Sequence, residues 1–218
     1  MSKRVGPAVN AHQDSTGLPP APGELSRREL AAWGIAAGSL GFGGLVALPA
    51  LADMPPPSPT ETMQAALSSE LLAVFAYTRV SAHPELTAPV ARVTEAFLAH
   101  EHLHAQLLTD ELAKLGLTPP VAPATADAAD AQLKAHGGSM SFSALHDQRD
   151  CLKILQEVES VLEGAYFRAA GSIADPAVIR TIAEIMAAEA QHLTVLTGLR
   201  HPGQYDRAVP SAFVQGMY

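Results

Sequence analysis

Two copies of a Glu-x-x-His tetrapeptide, Glu101–His104 and Glu189–His192, recur in this chain, and a further glutamate precedes each, Glu70 and Glu159. A shift of 88 residues carries Glu101 onto Glu189 and His104 onto His192. A shift of 89 carries Glu70 onto Glu159, Tyr77 onto Tyr166 and Arg79 onto Arg168. All of these lie in stretches with a helical apolar period. Val178, Ile182, Ile185, Glu189, His192, Leu196 and Leu199 follow alternating steps of four and three, and so do Val90, Thr94, Phe97, Glu101, His104 and Leu108. Met63, Leu67, Glu70, Val74 and Tyr77 form a third such stripe; Leu152, Gln156, Glu159, Glu163 and Tyr166 form a less apolar fourth. A chain built this way must fold into two similar helical hairpins that face each other with acids in their shared core.

Local signals place the helices. Ser58-Pro59-Thr60-Glu61 is a capping box with proline at the first helical position, and the helix it opens should run to about Ser81. The second should open near Thr87 and end at Leu115-Gly116, before Pro119-Pro120. A long connection over 117–141 has room for a short helical piece near Ala126 to Ala135. The third helix is expected from about Ser143 to Ala170, and the fourth from Asp175-Pro176 to Arg200. Short turns make helices one–two and three–four antiparallel hairpins. About 25 residues at up to ~3.3 Å each can span a bundle roughly 40 Å long, so the long connection lets helix three run parallel to helix two. The expected fold is all-α, an up-down-down-up four-helix bundle with a long crossover between helices two and three.

Heights along the bundle agree with this. Glu70 and Glu101 are equidistant from the turn Ala82–Thr87, and Glu159 and Glu189 from the turn Gly171–Asp175. Both pairs lie roughly 23 Å from their turns, so the four carboxylates share one level.

Burying four carboxylates without partners would cost several kcal/mol each or force large pKa shifts. Divalent cations remove that cost. Glu-x-x-His presents both groups on one helical face, so both reach one ion, and mixed carboxylate–imidazole ligation suits iron or manganese, with zinc as a further option. The expected ligands are Glu70, Glu101, His104, Glu159, Glu189 and His192. On the third helix the seam admits Glu163 as well as Glu159. The repeat and the height match select Glu159, and Glu163 stays open as an additional or replacement ligand. Tyr77 and Tyr166, two turns beyond their glutamates on the same face, are candidate hydrogen-bond donors or radical partners, or else ordinary core tyrosines. His100 and His102 point about 100° away from Glu101 on either side and are expected at the rim or surface.

The remaining composition narrows the function. A formal charge of −8 argues against a nucleic-acid binder. The single cysteine, Cys151, excludes an intrachain disulfide and a cysteine-based zinc or iron–sulfur site, and is expected to fill core. Residues 1–52 read as a targeting segment: Ser26-Arg27-Arg28-Glu29-Leu30, a glycine-rich apolar stretch, then Ala50-Leu51-Ala52 before Asp53. The paired arginines point to the twin-arginine route, with Leu30 where a strict match has Phe. A retained membrane anchor is the other reading of this stretch. Residues 53–59 are a linker, 60–200 the bundle and 201–218 an irregular tail.

Glu on the first helix, Glu-x-x-His on the second, Glu on the third and Glu-x-x-His on the fourth resemble the ferritin-like superfamily over residues 60–200. More narrowly, the chain resembles exported, twin-arginine-signalled bacterial ferritin-like proteins, whose tails carry a Pro-x-Ala-Phe-x-x-Gly segment. Here that segment is Pro210-Ser211-Ala212-Phe213-Val214-Gln215-Gly216. The resemblance implies this fold and a metal site, with no settled reaction; on the leading reading two metals are bridged by Glu101 and Glu189, with Glu70 and Glu159 terminal and one histidine per metal. Two functions fit: a di-iron or di-manganese oxidoreductase of peroxidase, catalase or ferroxidase type in the cell envelope, or a non-catalytic metal-binding or structural stress protein. Expected partners are the twin-arginine export machinery and a small oxidant such as peroxide or dioxygen. A homodimer is left open, and the membrane is expected to be met only through the signal segment.

Overall fold

The computed structural model describes residues 58–209 and Gly216, all within the second of the chain's two units, Pro49–Tyr218. The targeting segment, most of the linker and most of the Pro210–Gly216 segment lie outside the described residues. The described part is all-helical: α1 Pro59–Ser81, α2 Ala88–Lys114, α3 Ala126–Ala135, α4 Gln148–Ser172, α5 Pro176–Arg200 and a short α6 Tyr205–Ala208.

The caps explain the boundaries. Ser58 and Glu61 form the reciprocal box, with the Ser58 N–H donating to Glu61 Oε2 at 2.8 Å and the Glu61 N–H to Ser58 Oγ at 3.2 Å. Asp175 accepts from the Ala177 and Val178 N–H groups at 2.8 and 3.2 Å. α4 begins five residues later than the expected Ser143. Asp147 caps it by accepting from the Asp150 N–H at 2.8 Å, while Phe142 is buried from the loop side, edge-on to Phe75 at 5.3 Å. The apolar Phe142 and Leu145 thus belong to the crossover, which occupies residues 115–147. Buried Asp130 on α3 holds that loop by accepting from the Phe142 N–H at 2.7 Å. Glu157 on α4 accepts from the Ser139 and Met140 N–H groups at 2.7 and 2.9 Å. The tail, expected to be irregular, contains the single turn α6.

Two contacts fix the direction of the helices. The Thr87 N–H and hydroxyl both donate to Gln148 Oε1 at 2.8 Å, which puts the α1–α2 turn at the start of α4. Ser172 Oγ donates to Thr62 Oγ1 at 3.0 Å, which puts the α4–α5 turn at the start of α1. Therefore α2 and α4 run parallel, α1 and α4 antiparallel, and the order is up-down-down-up.

The core is built mainly on α1 and α4, whose buried faces include Leu67, Leu72, Ala73 and Ala76 on one side and Ile154, Leu155, Val158 and Leu162 on the other. α1–α2, α4–α5 and α1–α4 pack closely, whereas α2 and α5 meet sparingly. Buried Cys151 fills core as expected, and burial pushes its thiol up to about 11. No described helix is long and apolar enough to cross a membrane.

Candidate metal centre

Where α2 and α5 face each other across the bundle, polar side chains replace apolar ones. Glu70 from α1, Glu101 from α2, Glu159 from α4 and Glu189 from α5 are each 0% exposed. His104 and His192 stand beside them, one helical turn from Glu101 and Glu189. The structure brings all six expected residues together. Ligand atoms of Glu70, Glu101, His104 and Glu189 lie within 4.8 Å of one another, and so do those of Glu101, Glu159, Glu189 and His192. These two quartets share Glu101 and Glu189.

Both imidazoles turn Nδ1 inward. His104 Nδ1 is 2.7 Å from Glu189 Oε1 and 3.8 Å from both Glu70 Oε2 and Glu101 Oε2. His192 Nδ1 is 3.1 Å from Glu101 Oε1, 3.3 Å from Glu189 Oε2 and 3.5 Å from Glu159 Oε1. The atoms crowd together without hydrogen-bond alignment. Glu70 Oε2, Glu159 Oε2, both oxygens of Glu101 and Glu189, and Nδ1 of both histidines are buried and lack a hydrogen-bond partner among the described residues. Buried polar groups are normally paired, and each orphan costs about 1–3 kcal/mol, more when charged. Oxygen and nitrogen lone pairs converging in two overlapping sets satisfy the donor chemistry of a pair of divalent cations, so the residues fit the group.

Proton distribution follows from the same crowding. Burial, then the charges of Glu189 and Glu101, raises Glu70 and Glu159 well above the usual carboxylate range. Burial opposes the charged form of Glu189 too, but His104 and His192 outweigh it and hold that carboxyl at about 2. Likewise burial disfavours both imidazolium ions, yet the carboxylates win. Glu101 and Glu189 lift His104 to about 9, and with Glu159 they lift His192 to about 12.

Tyr77 and Tyr166 enter this centre as donors. The Tyr77 hydroxyl donates to Glu159 Oε1 and the Tyr166 hydroxyl to Glu70 Oε1, so each tyrosine serves the glutamate of the opposite hairpin. Helix geometry explains the exchange. Side chains lean toward the N-terminus of their own helix, so on antiparallel α1 and α4 Tyr77 and Glu159 lean toward each other, while Glu70 leans away from Tyr77. Burial, then the neighbouring carboxylate, pushes both phenols well above 10, so they stay neutral donors.

Two further residues flank the quartets. Glu163 is buried at 5% exposure with Oε2 unpartnered, but it belongs to neither quartet; burial and the charge of Glu189 raise its carboxyl. His100 is exposed as expected, yet its Nδ1 lies 3.0 Å from Nε2 of His192. Its projection from α2 alone gives no hint of this, because the partner sits on α5. Phe97 stacks on the His192 ring, with centroids 4.0 Å apart and planes 25° apart. His102 is exposed at the rim.

No match was found among curated proteins or among solved structures. The profile of the ferritin-like domain matches residues 58–201, a span that contains all four long helices and both quartets. The chain belongs to the ferritin-like domain family.

Proposed function

We propose that this chain is an exported ferritin-like protein whose carboxylate–histidine cluster holds two divalent metal ions, iron or manganese. Its chemistry on this reading is redox turnover of peroxide or dioxygen, or oxidation of metal ions, in protection of the cell envelope. The observation that carries it is the pair of overlapping quartets whose buried oxygens and nitrogens have no hydrogen-bond partners. Export by the twin-arginine route rests on Arg27-Arg28, the apolar stretch and Ala50-Leu51-Ala52.

A bound iron or manganese pair would supply the electron-transfer steps that the side chains here do not offer. The chain's own residues do the rest. Glu101 and Glu189, common to both quartets, would hold both ions, and Glu70 and Glu159 would each hold one, restrained by Tyr166 and Tyr77. His104 and His192 would ligate through Nδ1, and burial of all six keeps bulk water out.

Expression of the full chain, metal analysis and an assay of hydrogen peroxide consumption test the proposal. About two ions per chain with turnover support it, and bound metal without turnover favours a non-catalytic metal-binding protein. No metal, with folding unchanged in the Glu101→Ala plus Glu189→Ala variant, overturns both.

A further inference from the structure

The six residues of the cluster obey the internal repeat, but their surroundings do not. The shift that carries His104 onto His192 carries His100 onto Ala188 and Phe97 onto Ile185. Only one half of the centre therefore has a second histidine behind it. His192 is gripped on three sides: carboxylates at Nδ1, the face of Phe97, and His100 at Nε2. The His100 and His192 ring planes are 17° apart with centroids 5.2 Å apart, and with Nδ1 and Nε2 only 3.0 Å apart the two nitrogens lie near the line between the ring centres, as an N–H···N bond requires. His104 has no such partner on its outer nitrogen among the described residues, and its side chain is 11% exposed.

The tautomer follows from the geometry. For His192 to offer the Nδ1 lone pair to a cation, its ring proton must sit on Nε2, where it needs an acceptor. His100 Nδ1 is that acceptor. Resting on the two-metal reading above, we propose that His100 is a positioning residue that fixes the tautomer and orientation of His192, making the His192 half the tighter of two unequal metal positions. A hydrogen-bonded outer partner of a metal-ligating histidine typically changes affinity about 10–100-fold, so otherwise equivalent quartets fill in order. The exposed far edge of His100 also gives the buried ring a bonded link to solvent.

The full chain, stripped of metal, is titrated with cobalt(II) and followed by visible absorption and calorimetry. The expected result is two separate binding steps. His100→Leu should weaken the first step about 10–100-fold and leave the second unchanged. His100→Asn, whose Oδ1 falls where the imidazole Nδ1 was, should restore it. Nitrogen-15 NMR of the metal-free chain should show a hydrogen-bonded Nε2–H on His192 in wild type and His100→Asn but not in His100→Leu. Equal steps in wild type, an unchanged first step in His100→Leu, or equal weakening of both steps overturns the proposal. No cobalt uptake by wild type instead overturns the metal reading beneath it. His100→Leu leaves the buried His192 Nε2–H without its acceptor and should unfold at a somewhat lower midpoint, whereas His100→Asn should unfold at the wild-type midpoint, and an unchanged circular dichroism spectrum in both separates positioning from lost structure.

Discussion

Tyr77 donates its hydroxyl to Glu159, a carboxylate carried by the other hairpin, and not to Glu70 on its own helix. Tyr166 repays the arrangement at Glu70. The two halves of the centre are thus cross-linked by hydrogen bonds as well as by their shared glutamates.

Removing one hydroxyl should act on the far half. Tyr77→Phe is expected to weaken metal binding at the Glu159–His192 position, and Tyr166→Phe at the Glu70–His104 position, each about 10-fold. Each leaves a buried carboxylate oxygen without its donor, at a cost of about 1–3 kcal/mol to the metal-free fold. Metal titration of both variants checks the assignment. Weakening on the tyrosine's own side would contradict it.

Stability of the metal-free chain should fall as pH rises. Unfolded imidazoles lose their protons near 6.5, whereas the folded chain keeps them to about 9 at His104 and about 12 at His192. The folded state therefore binds more protons, and its advantage is complete below 6.5 and lost as pH climbs through those values. Glu70 and Glu159 act in the same sense, fully below 4.5 and progressively less above it. Glu189 acts oppositely at the acid end, its contribution present above 4.5 and lost toward about 2. Urea unfolding of chelator-treated protein between about pH 6.5 and about pH 9 should show a falling midpoint, and added metal should remove the decline. A flat or rising midpoint without metal would contradict the charge assignment.

Metal uptake should release protons. At neutral pH both imidazolium protons must leave, joined by any proton held on Glu70 or Glu159, so at least two protons appear per two ions. Calorimetry in buffers of different ionisation enthalpy measures this number directly. Release of none would mean the histidines do not ligate.

Glu163 and Glu159 should separate cleanly. Glu163→Gln is expected to keep two ions per chain, since its carboxyl lies in neither quartet, whereas Glu159→Gln should lose one. Metal analysis of the two variants decides it.

Much of this architecture was legible from residues alone, for identifiable reasons. Ser58-Pro59-Thr60-Glu61 and Asp175-Pro176 are local signals whose hydrogen bonds close within three residues, so α1 and α5 begin where the sequence indicates. Repeat spacing and equal heights selected Glu159 over Glu163, because both depend only on helix rise and turn position. α4 starts later than Ser143 because the Asp147 cap fixes its first turn while Phe142 and Leu145 pack against the core from the loop, a tertiary contact that local sequence does not display. Likewise the Tyr77–Glu159 exchange and the His100–His192 bond cross between helices, and no single helical wheel contains them.

The sparing contact between α2 and α5 has a mechanical consequence. α5 buries only Ile182, Ile185 and Leu196 as apolar anchors around Glu189 and His192, while α4 is anchored along its length from Cys151 to Ala169. Local opening is cheapest where little apolar surface must be exposed. α2 and α5 are therefore the helices expected to part most readily, with the α1–α4 spine staying shut. Amide hydrogen exchange should run faster along α2 and α5 than along α1 and α4. On the proposed function, ions and small oxidants would then reach the interior by a transient parting of two helices rather than through a standing channel.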